Sequence, residues 1–110
     1  MAGVTEINDS NFEASLAARE FCVVDVFASW CGSCRMLAPT FAEIAAANQN
    51  VAAFYKIDGE ENPKFCDVVP IDNLPFIAVF HNGKYVGGKS LTKREALEEI
   101  VAMIPKRSAP

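Results

Sequence analysis

The run Phe21–Phe27 is apolar on both sides of the strand repeat except for one carboxylate, Asp25. Lack of alternation predicts a central strand covered on both faces, and so places Asp25 inside the core. Ahead of it, residues 3–7 suit a short first strand. Ser10-Asn11-Phe12-Glu13 has the Ser-x-x-Glu form of a capping box and predicts a helix over 10–19, with Phe12 and Leu16 on one face. Beyond it, Leu37, Phe41, Ile44 and Ala45 recur at helical spacing, predicting a helix over 31–48. Pro39 lies inside that helix, removes one ladder hydrogen bond and predicts a kink. Residues 51–57 read as a strand, rich in β-branched and aromatic side chains. Asn62-Pro63 pairs an N-cap with proline at the first helical position, giving a short helix over 62–68 that Pro70 stops.

In the second half, Asn82-Gly83 separates two strand patterns at 76–80 and 84–88 and predicts an antiparallel hairpin. Thr92-Lys93-Arg94-Glu95 repeats the capping-box form, and the helix it opens carries Leu97, Ile100, Val101 and Ile104 inward before Pro105. Residues 106–110 are expected to fray. The order β-α-β-α-β-α-β-β-α predicts an α/β fold with a mixed central β-sheet flanked by helices on both faces. The 110 residues suit a single domain, 1–110.

Composition narrows this picture by exclusion. A 51% hydrophobic and 22% charged chain builds an ordinary globular core. It has no apolar run near the ~20 residues of a membrane span, so no membrane partner is expected. A net charge of −4 argues against nucleic acid as a partner. The N-terminal residues have neither a basic nor an apolar signal region, which predicts a reducing, cytoplasmic location.

Four cysteines in a chain of this length do not make a disulfide framework, and only Cys31 and Cys34 are paired by spacing. Cys22 lies in an apolar run and Cys66 in a short helix, so both are expected to be inert. Zinc needs four ligands, usually from two such pairs, and His81 with isolated cysteines does not complete the set. No metal and no cofactor is expected beyond a redox-active Cys31–Cys34 disulfide. The Cys-x-x-Cys stands where a strand ends and a helix begins. There, unpaired N–H groups and the helix dipole favour the thiolate of Cys31, the species that attacks disulfides. Cys34, one helical turn on, is placed to close a ring with Cys31 and release what it has captured.

With the Asp25-bearing strand, Trp30-Cys31-Gly32-Ser33-Cys34, Ala38-Pro39, Leu74-Pro75 and the Asn82-Gly83 hairpin in register, the chain resembles the thioredoxin family over essentially its whole length. The resemblance implies the thioredoxin fold and dithiol–disulfide exchange. It implies that Pro75 is cis and faces the cysteines, and that Trp30, Gly32, Ser33, Leu74, Pro75 and a glycine after the hairpin, assigned as Gly88 rather than Gly87, form the client groove. It implies that Asp25 lies beneath the dithiol and takes a proton from Cys34. Disulfide-bearing client proteins, and a thioredoxin reductase or glutathione as electron donor, are the implied partners.

Each role has a plainer counterpart. Pro75 could be a trans proline opening an edge strand, Trp30 plain core, and Arg35 a solvated helix charge rather than a weak aid to the thiolate. Asp25 buried without a partner should have a raised pKa, unless Lys56 satisfies it structurally. Two departures from the family pattern stand out. Ser33 replaces the usual proline of the turn, and its N–H and hydroxyl offer Cys31 a hydrogen bond that makes the disulfide a stronger oxidant. Phe54 occupies a position where many members carry a lysine near the buried Asp, which should raise the Asp25 pKa further. Beside the reducing enzyme stand two rivals. One is an oxidase or isomerase resembling protein disulfide isomerase domains; the other is a non-catalytic binding module of the same fold.

Overall fold

A computed structural model describes residues 3–105, so the tail expected at 106–110 lies outside the described residues. The elements are β1 (Val4–Glu6), α1 (Phe12–Ala17), β2 (Phe21–Phe27), α2 (Gly32–Ala47), β3 (Ala53–Asp58), α3 (Pro63–Val68), β4 (Phe76–His81), β5 (Lys84–Ser90) and α4 (Arg94–Met103), in the order that the hydrophobic pattern predicts. They form one mixed sheet ordered β1-β3-β2-β4-β5. β1 and β2 flank β3 in parallel, while β4 runs antiparallel to β2 and to β5.

β2 is central, and its side chains alternate between two cores. Val23 packs with Phe54, Ile77, the α2 residues Leu37, Phe41 and Ile44, and the α4 residues Leu97 and Val101. Cys22, Val24 and Val26 face the other side, against Phe12 and Leu16 of α1 and Phe65 of α3. Helices therefore cover both faces, which is why the β2 sequence shows no polar alternation. Asp25 shares the face of Val23 and lies under α2.

Neither capping box forms. The N-cap of α1 is Asn11 and that of α4 is Lys93, with no side-chain cap bond at either. Both helices begin one residue later than the motifs imply, so Glu13 and Glu95 fall at the second helical position, out of reach of the reciprocal bond. Before α1, Asn8 and Asn11 instead close a local turn, Asn11 Oδ1 accepting the Asn8 N–H at 2.8 Å. Pro63 does sit at the first position of α3. The free N–H groups behind it are capped from afar, Lys64 and Phe65 each donating at 2.9 Å to the Asp9 carboxylate. Asn62 is used to hold that loop, accepting the Asp9 N–H and donating to the Asp58 carbonyl, both at 2.8 Å. At the hairpin, Asn82 and Gly83 have φ of 53° and 83°, the left-handed pair of a type I′ turn. Past the turn the register shifts: Tyr85 pairs with Phe80 and Gly87 with Val79, so Val86 bulges outward, 59% exposed.

Candidate active site

The carboxyl end of β2 delivers residues 28–31 to the start of α2, where Cys31 is the N-cap in extended conformation (φ −89°, ψ 109°). Its Sγ accepts a hydrogen bond from the Cys34 N–H at 3.2 Å. One of the orphan donors of the first helical turn is thus spent on the sulfur that the sequence marks as the nucleophile. Both cysteines are buried, Cys31 at 6% and Cys34 at 3% exposure, and they pack with Ala28 against Phe27 and Leu74. The Cys31 sulfur is therefore largely shielded from solvent. Trp30, directly before it, is 63% exposed, which sets aside the plain-core reading of that ring. Arg35 neither floats free nor pairs with a carboxylate: its Nη1 donates to the Ser29 carbonyl at 2.8 Å and ties α2 back to the loop that carries Trp30.

Burial, followed by the neighbouring Cys31 sulfur, pushes the Cys34 thiol up to about 12. The Asp25 carboxyl adds to that rise electrostatically. Asp25 itself is 3% exposed, and its buried Oδ1 has no hydrogen-bond partner among the described residues. Burial pushes its pKa up to about 7, against a lowering pull from Lys56. Lys56 is the register partner of Asp25 on β3, and both line a cleft of about 390 Å³ with Val4, Ala38, Pro39, Phe41 and Ala42. Pro39, inside α2, thus forms part of the wall over the carboxyl.

Leu74, which packs against the two cysteines, is joined to Pro75 by a cis peptide bond, and Pro75 is buried. The other cysteines stay apart from this site. Cys22 is fully buried with its thiol pushed up to about 11, and the Cys66 Sγ donates to the Gly59 carbonyl at 3.2 Å. Among the described residues, no cluster of three His, Cys, Asp or Glu side chains is arranged to hold a metal. No helix among them is long and apolar enough to cross a membrane.

The Thioredoxin family model matches residues 3–106. The chain belongs to the thioredoxin family. It is 33% identical to the thioredoxin of Buchnera aphidicola, with 90% of this chain and 97% of that protein covered. It is 32% identical to chicken protein disulfide-isomerase, of whose length it spans 22%. It is also 33% identical to the bifunctional thioredoxin reductase/thioredoxin of Mycobacterium leprae, spanning 24% of it. Among solved structures it superposes on Malassezia sympodialis thioredoxin with a TM-score of 0.84 at 25% identity, covering 92% of this chain and 90% of that one. Thioredoxin f from spinach chloroplast gives 0.82 at 27% identity, covering 90% and 84%. The thioredoxin fold and general dithiol–disulfide oxidoreductase chemistry follow from this membership.

The settings of Gly88, Ser33 and Phe54 depend on strand register and on the first turn of α2. Gly88 does not stand beside Pro75. It pairs with Ala78, and a Cβ there would strike the Ile77 carbonyl oxygen and lie 2.9 Å from the Phe76 ring. Its glycine serves close approach of β5 to β4. The bulge at Val86 advances β5 along β4, and Pro75 is met by Ser90 and Leu91: its carbonyl accepts from the Ser90 hydroxyl at 3.0 Å and the Leu91 N–H at 3.2 Å. No sequence motif marked Ser90, because its partner is fixed by strand register alone.

Ser33 is exposed, and its hydroxyl makes no hydrogen bond among the described residues. The donor to Cys31 Sγ is the Cys34 amide. Phe54 puts no cation at its own position, and Lys56, two residues along β3 and on the same face, pulls the Asp25 pKa down without offsetting burial, so the carboxyl stays raised as expected. Phe54 itself fills the core against Phe41, ring centroids 5.7 Å apart.

Proposed function

We propose that this chain reduces disulfides in client proteins through Cys31 and Cys34. The observation that carries the reading is the Cys34 N–H···Cys31 Sγ contact at 3.2 Å, with the buried carboxyl of Asp25 acting on Cys34 behind it. The Cys31 thiolate attacks one sulfur of the client disulfide, forming a mixed disulfide and expelling the other client sulfur as thiolate. Cys34, protonated until then because of its high pKa, loses its proton to the Asp25 carboxylate and attacks the Cys31 sulfur. The client leaves carrying both electrons and the enzyme is left as the Cys31–Cys34 disulfide, with no other cofactor. The cleft beside Asp25 and Lys56 gives that proton a way to solvent. Trp30, Gly32, Ser33, Leu74 and Pro75 form the surface a client meets, and Ser90 holds its proline edge.

A thioredoxin reductase or glutathione is the electron donor that this cycle requires, and a reducing cytoplasm is the compartment that fits it. Likeness to the reductase/thioredoxin of Mycobacterium leprae supports the first donor. Likeness to protein disulfide-isomerase supports a second direction, in which the oxidised form donates its disulfide. Insulin reduction tests the proposal: the wild type should turn over, Cys31→Ser should not, and Cys34→Ser should accumulate the mixed disulfide. Turnover by Cys31→Ser would overturn Cys31 as the nucleophile, and a wild type that binds clients without reducing them would leave a binding module in place of the enzyme. Equilibration with glutathione separates the two directions.

A further inference from the structure

Resting on the exchange reading above, the geometry points to Asn73 as a side-chain gate over the backbone edge where a client strand pairs. Leu74 is half-buried and packs against the pair Cys31 and Cys34, so its peptide groups are the ones a client segment meets once its sulfur reaches Cys31. Few backbone groups remain for pairing there. Pro75 has no N–H, and its carbonyl is taken by Ser90 and Leu91. Phe76 is already committed to β4, between Val26 of β2 and Ser90 of β5. The Leu74 carbonyl accepts no hydrogen bond among the described residues, but the Leu74 N–H donates to Asn73 Oδ1 at 2.9 Å.

The Asn73 amide oxygen therefore occupies the place of a client carbonyl. An extended client can lay its own C=O on Leu74 N–H only when the exposed Asn73 side chain swings away, in the manner of strand addition to a free edge. The gate favours clients that present extended backbone on both sides of the reacting cysteine, because these regain the bond that Asn73 gives up. A small disulfide without a peptide strand gains nothing from opening it.

The test is single-turnover reduction by the pre-reduced protein, followed through the fluorescence of Trp30, the chain's one tryptophan. The probes are a synthetic extended peptide carrying an intramolecular disulfide and bis(2-hydroxyethyl) disulfide. Asn73→Ala should lower the half-saturating peptide concentration by about two- to fivefold, the scale of one exposed neutral hydrogen bond. Asn73→Asp, a stronger acceptor for the same N–H, should raise it. The limiting rate reports Cys31 chemistry and separates gating from a change at the sulfur.

An unchanged or higher half-saturation in Asn73→Ala overturns the gate. An equal gain with bis(2-hydroxyethyl) disulfide overturns it too, since the effect would then lie at the dithiol. A wild type that reduces neither probe defeats the exchange reading itself, and the gate with it.

Discussion

Asp25 and Lys56 are register partners across β2 and β3, yet among the described residues Asp25 Oδ1 has no hydrogen-bond partner. The lysine is close enough to lower the carboxyl pKa but not to offset burial, which holds it near 7. Removing the cation while keeping the stem should raise that pKa further. In Lys56→Met, the Asp25 carboxyl carbon should titrate above its wild-type midpoint in NMR, and an unmoved midpoint would count against the coupling.

The same carboxyl makes stability depend on pH. Its folded pKa, about 7, lies above the ordinary carboxylate range, so between about pH 4 and 7 the folded state holds a proton that the unfolded state has released. Stability contributed by Asp25 is therefore undiminished below about pH 4, falls as pH rises through that window, and reaches its full penalty above about 7. That penalty is on the order of 4 kcal/mol. Asp25→Asn should be more stable than wild type at pH 8 by roughly 2 to 4 kcal/mol and nearly equal at pH 4, as measured by urea denaturation at the two pH values.

Catalysis should show the opposite cost. A base with a pKa near 7 makes resolution of the mixed disulfide accelerate as pH rises through neutrality. Asp25→Asn should slow that step about 100- to 10,000-fold and erase the inflection. Stopped-flow release of client thiol across pH 5 to 9 would show a retained inflection if some other group accepts the proton.

At the turn, the Cys31 sulfur accepts from the Cys34 amide, and among the described residues the exposed Ser33 hydroxyl makes no hydrogen bond. Ser33→Ala should therefore leave the reduction potential within about 10 mV of wild type. Ser33→Pro also deletes a first-turn N–H, and should give a more negative potential than either. Glutathione equilibration of all three proteins checks this ordering. A shift in Ser33→Ala as large as in Ser33→Pro would mean that the hydroxyl reaches the sulfur in solution.

Adjacent glycines on β5 should respond differently to a methyl group. A Cβ at Gly87 meets nothing within 4 Å, whereas at Gly88 it runs into the Ile77 backbone oxygen, which cannot move without disturbing β4. Gly88→Ala should cost about 1 to 3 kcal/mol and Gly87→Ala close to nothing, read from thermal or urea unfolding.

Element order, the doubly covered β2, the buried Asp25 and the dithiol at a helix start were legible in the chain because each depends on local pattern. Strand period, helical spacing, Asn-Gly turn chemistry and Pro63 at a helix start act over a few residues and need no knowledge of the fold. What failed locally failed by one residue: both capping boxes have the right composition, yet their helices start a step later, so the glutamates miss the reciprocal bond. The remaining decisions belong to tertiary structure, because they join residues far apart along the chain. Strand register put Lys56 rather than residue 54 beside Asp25. The bulge at Val86 put Ser90 rather than Gly88 against Pro75. The approach of the β4 loop to α2 put Leu74, with its amide held by Asn73, against the two sulfurs. A one-residue change of register would exchange all these neighbours while leaving every local pattern intact, and for that reason the sequence marked the dithiol but not the side chains that control access to it.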